Sequence, residues 1–148
     1  FSVYKLRTMY PFSEYLQEYI SLNHGLQKGG KFKNDPRVTT AGRFFRKYWL
    51  DEVPMVINIL KGEMKLFGVR PLSSHYLGLY PDHVKELRAK SKPGLIPPFY
   101  ADLPETLEEI IASEEDYVVS YLKRPVATDI KYFFKAIYNI LIKQARSN

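Results

Sequence analysis

Two adjacent carboxylates, Asp51 and Glu52, are the residues of this chain best placed to do chemistry. They stand directly before the most apolar run in the sequence, residues 53–60, which predicts a buried helix. Pro54 fits the first turn of that helix, and Gly62 is a natural stop just beyond it. The positive end of a helix stabilises negative charge. The pair is therefore either an ordinary cap with a first-turn acid or a pair of reactive carboxylates.

The two carboxylates suit different tasks in a reaction on phosphates. Such a reaction needs a nucleophile in line with the leaving group, a divalent cation, and fixed positive groups around the phosphate oxygens. Asp51 can act as a nucleophile that forms an acyl phosphate, and Glu52 can bind Mg²⁺ whose other ligands come from the substrate. Successive helix residues project about 100° apart, so we expect a division of labour between the two side chains.

Basic residues that could bind the substrate phosphates recur along the chain. The pattern predicts a helix over 41–48, capped by Thr39 or Thr40, with Arg43 and Arg46 on one face. That face is either an anion-binding surface or a solvated basic face over an aromatic core edge. The candidate phosphate-binding residues, given the affinity of guanidinium and ammonium groups for phosphate, are Lys5, Arg43, Arg46, Arg70 and Lys92.

Glycine and proline shape the segments that present Arg70 and Lys92. Arg70 precedes a proline, which restricts its backbone to extended conformations. Residues 91–99 contain three prolines and a glycine, so they predict a stiff, extended connector rather than a helix. The candidate loop-shaping residues are Gly68, Pro71, Pro93 and Gly94.

Composition limits the class of protein. The 148 residues are 45% hydrophobic and 26% charged, which predicts one folded domain over 1–148. The absence of cysteine excludes disulfides, thiol catalysis and cysteine metal sites. A net charge of +6 attracts anions without choosing among nucleic acid, anionic lipid and phosphate-bearing substrates. The abrupt start of the chain predicts a segment excised from a longer protein.

The remaining patterns predict an α+β fold, mostly helical and compact, with a few short strands. The apolar stripe of the last predicted helix, bordered by lysines, fits either packing on the domain or lying on a membrane surface. The charges of residues 82–90 and 114–116 fit ordinary solvated faces. The predicted elements are a strand over 1–7 and helices over 11–20, 82–90, 102–122 with Asp102 as cap, and 128–144.

Five motifs occur in an order that resembles one enzyme family. They are KLRTM at 5–9, LDEVP at 50–54, INILKGEM at 57–64, GVRP at 68–71 and KPG at 92–94. The chain resembles the bacterial sugar transferases, the monotopic polyprenol-phosphate phosphoglycosyl transferases, over nearly its whole length. Two departures are Val69, where the family usually has proline, and Lys92, where it usually has arginine.

The resemblance implies transfer of a phosphosugar from a nucleotide-diphosphate sugar, such as a UDP-sugar, to undecaprenyl phosphate or another polyprenyl phosphate. Such a transfer initiates exopolysaccharide, capsule, O-antigen or glycoprotein glycan synthesis. It further implies Asp51 as nucleophile, Glu52 as Mg²⁺ ligand, and a ping-pong mechanism through a covalent phosphosugar–Asp intermediate. The implied location is the cytoplasmic face of the bacterial inner membrane, with the membrane surface as a partner and no nucleic acid. A membrane helix would precede the Lys5 segment.

Two other hypotheses remain. A non-catalytic basic module that binds membrane or nucleic acid requires only the charge and the aromatic residues, although the basic residues are dispersed and no nucleic-acid motif is present. A degenerate transferase that serves as a scaffold is the second, and intact Asp51, Glu52 and Arg70 argue against it.

Overall fold

A computed structural model describes residues 1–16, 19–20 and 35–142. It confirms the predicted fold class, because these residues form mostly helices with one pair of short strands. The helices are α1 (Thr40–Lys47), α2 (Met55–Leu60), α3 (Ser74–Leu77), α4 (Asp82–Ala89), α5 (Phe99–Asp102), α6 (Leu107–Lys123) and α7 (Pro125–Ile142), and the strands are β1 (Lys65–Phe67) and β2 (Gly94–Ile96). Single 3₁₀ turns cover Ser13–Leu16 and Leu50–Glu52.

The two strands lie at the centre of the core. They pair in parallel, with Lys65 opposite Gly94 and Phe67 opposite Ile96. Phe67 packs edge-on against Tyr117 of α6, at a ring-centroid distance of 5.3 Å. The buried apolar cluster around this contact holds Phe67, Val69, Ala101, Tyr117, Val118 and Ala136. The core thus fixes β1, and β1 leads directly into the segment that carries Arg70.

Gly68 and Gly94 permit a close approach just beyond β1 and at the start of β2. A Cβ atom on Gly94 would lie 2.1 Å from the Gly68 nitrogen, and one on Gly68 would lie 2.9 Å from the Gly94 nitrogen. No side chain fits at such distances without moving the backbone. The Gly94 N–H donates to the Val69 carbonyl at 2.9 Å, which fixes the residue before Arg70.

The predicted strand over 1–7 is wrong. These residues carry no ladder, and the nearest pairing is an isolated bridge between Met9 and Val38. The segment is held instead by Asn58, a fully buried residue of α2 that donates to the Ser2 carbonyl and accepts from the Tyr4 N–H. A side chain replaces the second strand, and sequence alternation alone does not distinguish these arrangements.

The predicted burial of the central helix is also wrong. Its extent ends at Gly62 as predicted, with a positive φ of 71°. However, α2 buries only Met55 and Asn58, while Leu60 is 82% exposed and Val53, Val56 and Ile57 are also exposed. The apolar run indicates a non-aqueous neighbour, but the neighbour is not part of the described fold.

Other helix predictions have mixed outcomes. Thr39 caps α1 as predicted, with its hydroxyl accepting from the Gly42 N–H, and the 82–90 helix is confirmed as α4. The predicted cap Asp102 is wrong, because Asp102 ends α5 and Thr106 begins α6 through a capping box with Glu109. Of the predicted helix over 11–20, the described part forms a 3₁₀ turn and a helical piece at 19–20, and residues 17–18 lie outside it.

Candidate functional site

The two carboxylates lie on their own 3₁₀ turn rather than in the helix that follows. Trp49 precedes this turn in the left-handed region, with φ 56°, and its ring packs edge-on against Tyr100 at a centroid distance of 5.5 Å. Asp51 and Glu52 are both half-buried. The left-handed backbone conformation of a bulky residue costs free energy, so the packing of Trp49 must compensate for that cost. The turn aims the two carboxylates independently of the axis of α2.

Glu52 is the point where the predicted cations meet. Its Oε1 accepts from the Lys5 ammonium at 2.9 Å and from the Arg70 guanidinium at 3.2 Å. Lys5 comes from the N-terminal segment and Arg70 from the turn after β1, so three separate parts of the chain converge here. The side chains of Glu52 and Arg70 remain 20% and 29% exposed. A phosphate or a cation can therefore reach this cluster.

Asp51 interacts electrostatically with Arg46 of α1. Burial lowers the pKa of the Arg46 guanidinium, while the Asp51 carboxylate, the largest opposing influence, raises it. The Arg46 Nε donates to the Thr8 hydroxyl at 2.9 Å, which orients the guanidinium. The Leu6 N–H also donates to the Asp51 backbone carbonyl at 3.0 Å. The N-terminal segment thus positions both carboxylates of the pair.

Two other predicted phosphate-binding residues are placed differently. Lys92 donates to the Gly62 carbonyl at 2.6 Å, at the end of α2 that is remote from Asp51 and Glu52. Arg43 is exposed on α1. Across the described ranges, no contact joins either residue to Glu52. Their role in phosphate binding stays a prediction.

Arg88 and Glu114 form a second charged pair that the sequence reasoning missed. Arg88 on α4 and Glu114 on α6 are only 8% and 1% exposed, and they are directly bonded. Arg88 also donates to the Arg70 backbone carbonyl at 2.6 Å and lies 5.0 Å from the centre of the Tyr80 ring. The assignment of these charges to solvated faces was therefore wrong. One signal was present, since Glu114 shares a helical face with the apolar residues Ile110, Tyr117 and Val118.

Burial perturbs the ionisable groups around this second pair. Loss of hydration lowers the pKa of Arg88. Burial also raises the pKa of Tyr80 to about 12, although the nearby Arg88 charge opposes that rise. Both groups keep their ordinary protonation at neutral pH. Arg88 therefore stays charged beneath Arg70 at neutral pH.

The carboxylates fit a magnesium ion that is shared with substrate. Within residues 1–16, 19–20 and 35–142, no group of three or more His, Asp or Glu side chains is arranged to hold a metal. Mg²⁺ binds through one or two carboxylates when substrate phosphates complete its shell. Half-buried Asp51 and Glu52 supply such oxygens, with Lys5 and Arg70 close enough to turn toward phosphate instead.

Residues 1–143 match the model of one family, described as bacterial sugar transferase. The chain belongs to the bacterial sugar transferase family. The resemblance based on the five motifs is thereby confirmed over nearly the whole sequence.

Curated relatives of this family member include named transferases. The chain is 41% identical over 100 residues to the undecaprenyl-phosphate galactose phosphotransferase of Salmonella typhimurium, an alignment that covers 64% of this chain and 21% of the relative. It is 39% identical over 100 residues to the exopolysaccharide production protein ExoY of Sinorhizobium fredii, covering 64% and 44%. It is 32% identical over 122 residues to the UDP-glucose:undecaprenyl-phosphate glucose-1-phosphate transferase of Escherichia coli, covering 76% and 26%. The chain spans less than half the length of each of these relatives.

No helix in the described part of this family member is long and apolar enough to cross a bilayer.

Proposed function

We propose that this chain catalyses transfer of a sugar phosphate from a nucleotide-diphosphate sugar to a polyprenyl phosphate such as undecaprenyl phosphate. The observation that carries the proposal is the convergence of Lys5 and Arg70 on Glu52, directly beside Asp51. This arrangement offers a carboxylate nucleophile that is adjacent in sequence to a second carboxylate, which two accessible cations contact. The names of the Salmonella typhimurium and Escherichia coli relatives agree with this reaction class, and the name of the Sinorhizobium fredii relative specifies exopolysaccharide production. We infer that the reaction initiates exopolysaccharide or capsule synthesis.

In the first half of the proposed reaction, Asp51 attacks the phosphorus that carries the sugar. A bond forms between a carboxylate oxygen and phosphorus, and the bond from that phosphorus to the bridging oxygen breaks. The electron pair departs with the nucleoside monophosphate. Arg70 and Lys5 release Glu52 and bind the phosphate oxygens, where fixed positive charge stabilises the transition state. Arg46 places a positive charge near the Asp51 carboxylate.

In the second half, an oxygen of the polyprenyl phosphate attacks the same phosphorus. The bond between Asp51 and phosphorus breaks, and the carboxylate is regenerated. In both halves Glu52, with Asp51 beside it, would hold Mg²⁺, and the ion would neutralise part of the negative charge on the phosphates. No proton needs to move in either step, which agrees with a site that offers carboxylates and cations rather than an acid–base pair.

Exposed apolar helix faces support a membrane surface as partner. On α7, side chains four apart share the outward face, while the buried residues Thr128, Ala136 and Asn139 face the domain. A lipid phosphate acceptor is presented at a bilayer surface, and helices of this kind lie in such an interface. We therefore place the domain against the cytoplasmic leaflet of the bacterial inner membrane. The outward apolar residues of α7 are Val126, Ile130, Phe134, Tyr138, Leu141 and Ile142.

The experiment that tests the reaction compares Asp51→Asn with wild type. The assay measures nucleoside monophosphate release from a UDP-sugar in the presence of Mg²⁺ and undecaprenyl phosphate. We expect Asp51→Asn to release nucleoside monophosphate at least about a thousandfold more slowly than wild type. A neutral amide neither attacks phosphorus nor acts as a leaving group from it. Asp116→Asn, an exposed acid on α6, is the matched control.

Mass spectrometry without acceptor gives a second measure. Wild type should gain the mass of one sugar phosphate on the peptide that contains Asp51, and Asp51→Asn should gain none. Equal turnover by Asp51→Asn and wild type would remove Asp51 as nucleophile. Membrane binding without any nucleotide release, unchanged by loss of both carboxylates, would support the non-catalytic module instead.

A further inference from the structure

A cavity of about 330 Å³ is lined in part by Arg70. Its walls come from the turn after β1, from α3, from α4 and from the connector before β2. This volume lies near the lower end of the range for small-molecule sites in proteins. The mechanism proposed above does not use it.

The walls of the cavity are apolar, and they come from several segments of the chain. Val69 and Leu72 line it from the turn, Leu77 from α3, and Ala89 from α4. Val69 belongs to the buried core, so that wall is rigid. Apolar walls with a few convergent polar groups are typical of small-ligand sites. A planar, uncharged ring system is the kind of group that such walls accept.

Three cations and one hydroxyl border the same space. Arg70, Lys85 and Arg88 line the cavity, and no carboxylate from the described part of the chain does. The Ser91 hydroxyl also lines it, and this buried oxygen has no hydrogen-bond partner among the described residues. An unpaired buried hydroxyl costs free energy that a ligand's polar edge can recover. The border thus suits a ligand that combines a polar ring edge with negative charge.

Arg70 connects this cavity to the carboxylates. Its side chain lines the cavity and also reaches Glu52 at 3.2 Å. Its backbone is fixed on the cavity side by Arg88, which donates to the Arg70 carbonyl at 2.6 Å. A ligand that spans both places would lay its phosphates along Arg70. A nucleotide-diphosphate sugar has this construction, with a flat base at one end and the sugar phosphate at the other.

We propose that this cavity binds the nucleoside of the nucleotide-diphosphate sugar. The base packs between Val69, Leu77 and Ala89, and its polar edge bonds to Ser91. The diphosphate then extends past Arg70 toward Asp51. This inference rests on the proposed function and assigns its donor substrate a place. A polyprenyl chain is too large for this volume, and it would instead pack against the exposed apolar faces of α2 and α7.

The test measures binding without turnover. Isothermal titration of the 148-residue chain with UMP is compared with titration by ribose 5-phosphate, which lacks the base. UMP is the probe because the name of the Escherichia coli relative specifies a UDP-sugar. Leu77→Trp fills the cavity, and Leu79→Trp, a half-exposed position two residues away that does not line it, is the matched control.

We expect wild type and Leu79→Trp to bind UMP more tightly than ribose 5-phosphate. Leu77→Trp should weaken UMP at least about tenfold and leave ribose 5-phosphate unchanged. Ser91→Ala, which removes one hydroxyl without adding bulk, should weaken UMP roughly two- to tenfold. If the thermal transition shows that Leu77→Trp is misfolded, Ser91→Ala decides.

Several results would overturn the cavity assignment. They are UMP affinity that is unchanged in folded Leu77→Trp or in Ser91→Ala, and equal loss of UMP and ribose 5-phosphate. If Leu77→Trp raises the KM for undecaprenyl phosphate and leaves the KM for the UDP-sugar unchanged, the cavity binds the acceptor instead. Wild-type turnover measured alongside separates the two proposals. If wild type turns over and Leu77→Trp has the same KM for the UDP-sugar, only the cavity assignment is refuted. If wild type binds UMP in a way that depends on the cavity but shows no turnover, only the transfer reaction is refuted.

Discussion

Two arginine–glutamate pairs meet at Arg70, and they differ in exposure. Arg88 and Glu114 are 8% and 1% exposed, whereas Arg70 and Glu52 are 29% and 20% exposed. The first pair joins α4 to α6 and bonds to the Arg70 backbone. The second pair joins the turn after β1 to Glu52. The same chemistry thus serves as a fixed support in one place and as an exchangeable contact in the other.

Removing one partner of the buried pair should have the largest effect. Arg88→Met leaves the Glu114 carboxylate buried without a counter-charge, so we expect the free energy of unfolding to fall by about 3–5 kcal/mol. Urea denaturation measures it. Lys85→Met on the same helix is the control, expected within about 0.5 kcal/mol of wild type. Equal stability of the two variants would show that Glu114 is accommodated without Arg88.

Removing Arg70 should affect turnover rather than stability. We expect Arg70→Met to lower kcat by roughly a hundred- to a thousandfold, the range for loss of one fixed group that stabilises transition-state charge. Its unfolding free energy should change by less than about 1 kcal/mol, because partly exposed ion pairs contribute little. Arg124→Met, an exposed arginine at the end of α6, is the control. A large loss of stability would place Arg70 with the buried pair.

Replacing both partners of the buried pair separates support from folding. Arg88→Met with Glu114→Met should restore most of the stability, because apolar replacement of a buried pair is often neutral. We still expect kcat to be about tenfold lower, since the Arg70 carbonyl loses a charge-assisted donor worth about 1.5–3 kcal/mol. Adding Arg70→Met should then cost less than it costs in wild type, which a double-mutant cycle measures. Full additivity would contradict a role through Arg70.

The smallest expected change is in the Mg²⁺ requirement of Lys5→Met, which tests whether the Glu52 contact is exchangeable. Lys5→Met removes one competitor for Glu52 Oε1. We expect the Mg²⁺ concentration for half-maximal rate to fall by roughly two- to fivefold, since partly exposed ion pairs are worth about 0–1 kcal/mol. Unfolding free energy should stay close to wild type. A higher Mg²⁺ requirement would mean that Lys5 orients Glu52 for the metal.

The contrast between the pairs also explains how far the sequence could predict the site. Short motifs identify Asp51, Glu52, Lys5 and Arg70, and the described contacts bring the last three together. The close approach of Gly68 and Gly94 and the Thr39 cap could be predicted because local geometry restricts the residue type there, whereas the Asp102 cap was wrong. Glu114 was misread, because its two acidic neighbours dominate the local composition and hide its position on the buried face of α6.

The exposure of α2 could not be predicted for a different reason. An apolar run specifies removal from water, but it does not specify whether protein or lipid provides the cover. The 1–7 segment failed similarly, since Asn58 replaces the strand expected to pair with it.

The attachment of the N-terminal segment to Asn58 makes the delivery of Lys5 observable by hydrogen exchange. The Tyr4 amide is bonded to the Asn58 side chain at 3.0 Å, one residue before Lys5. Its protection therefore reports the free energy of detaching this segment, with no need for substrate or turnover. A ligand that breaks the contact between Lys5 and Glu52 without detaching the N-terminal segment would leave the protection of the Tyr4 amide unchanged. A ligand that detaches the whole segment would abolish that protection.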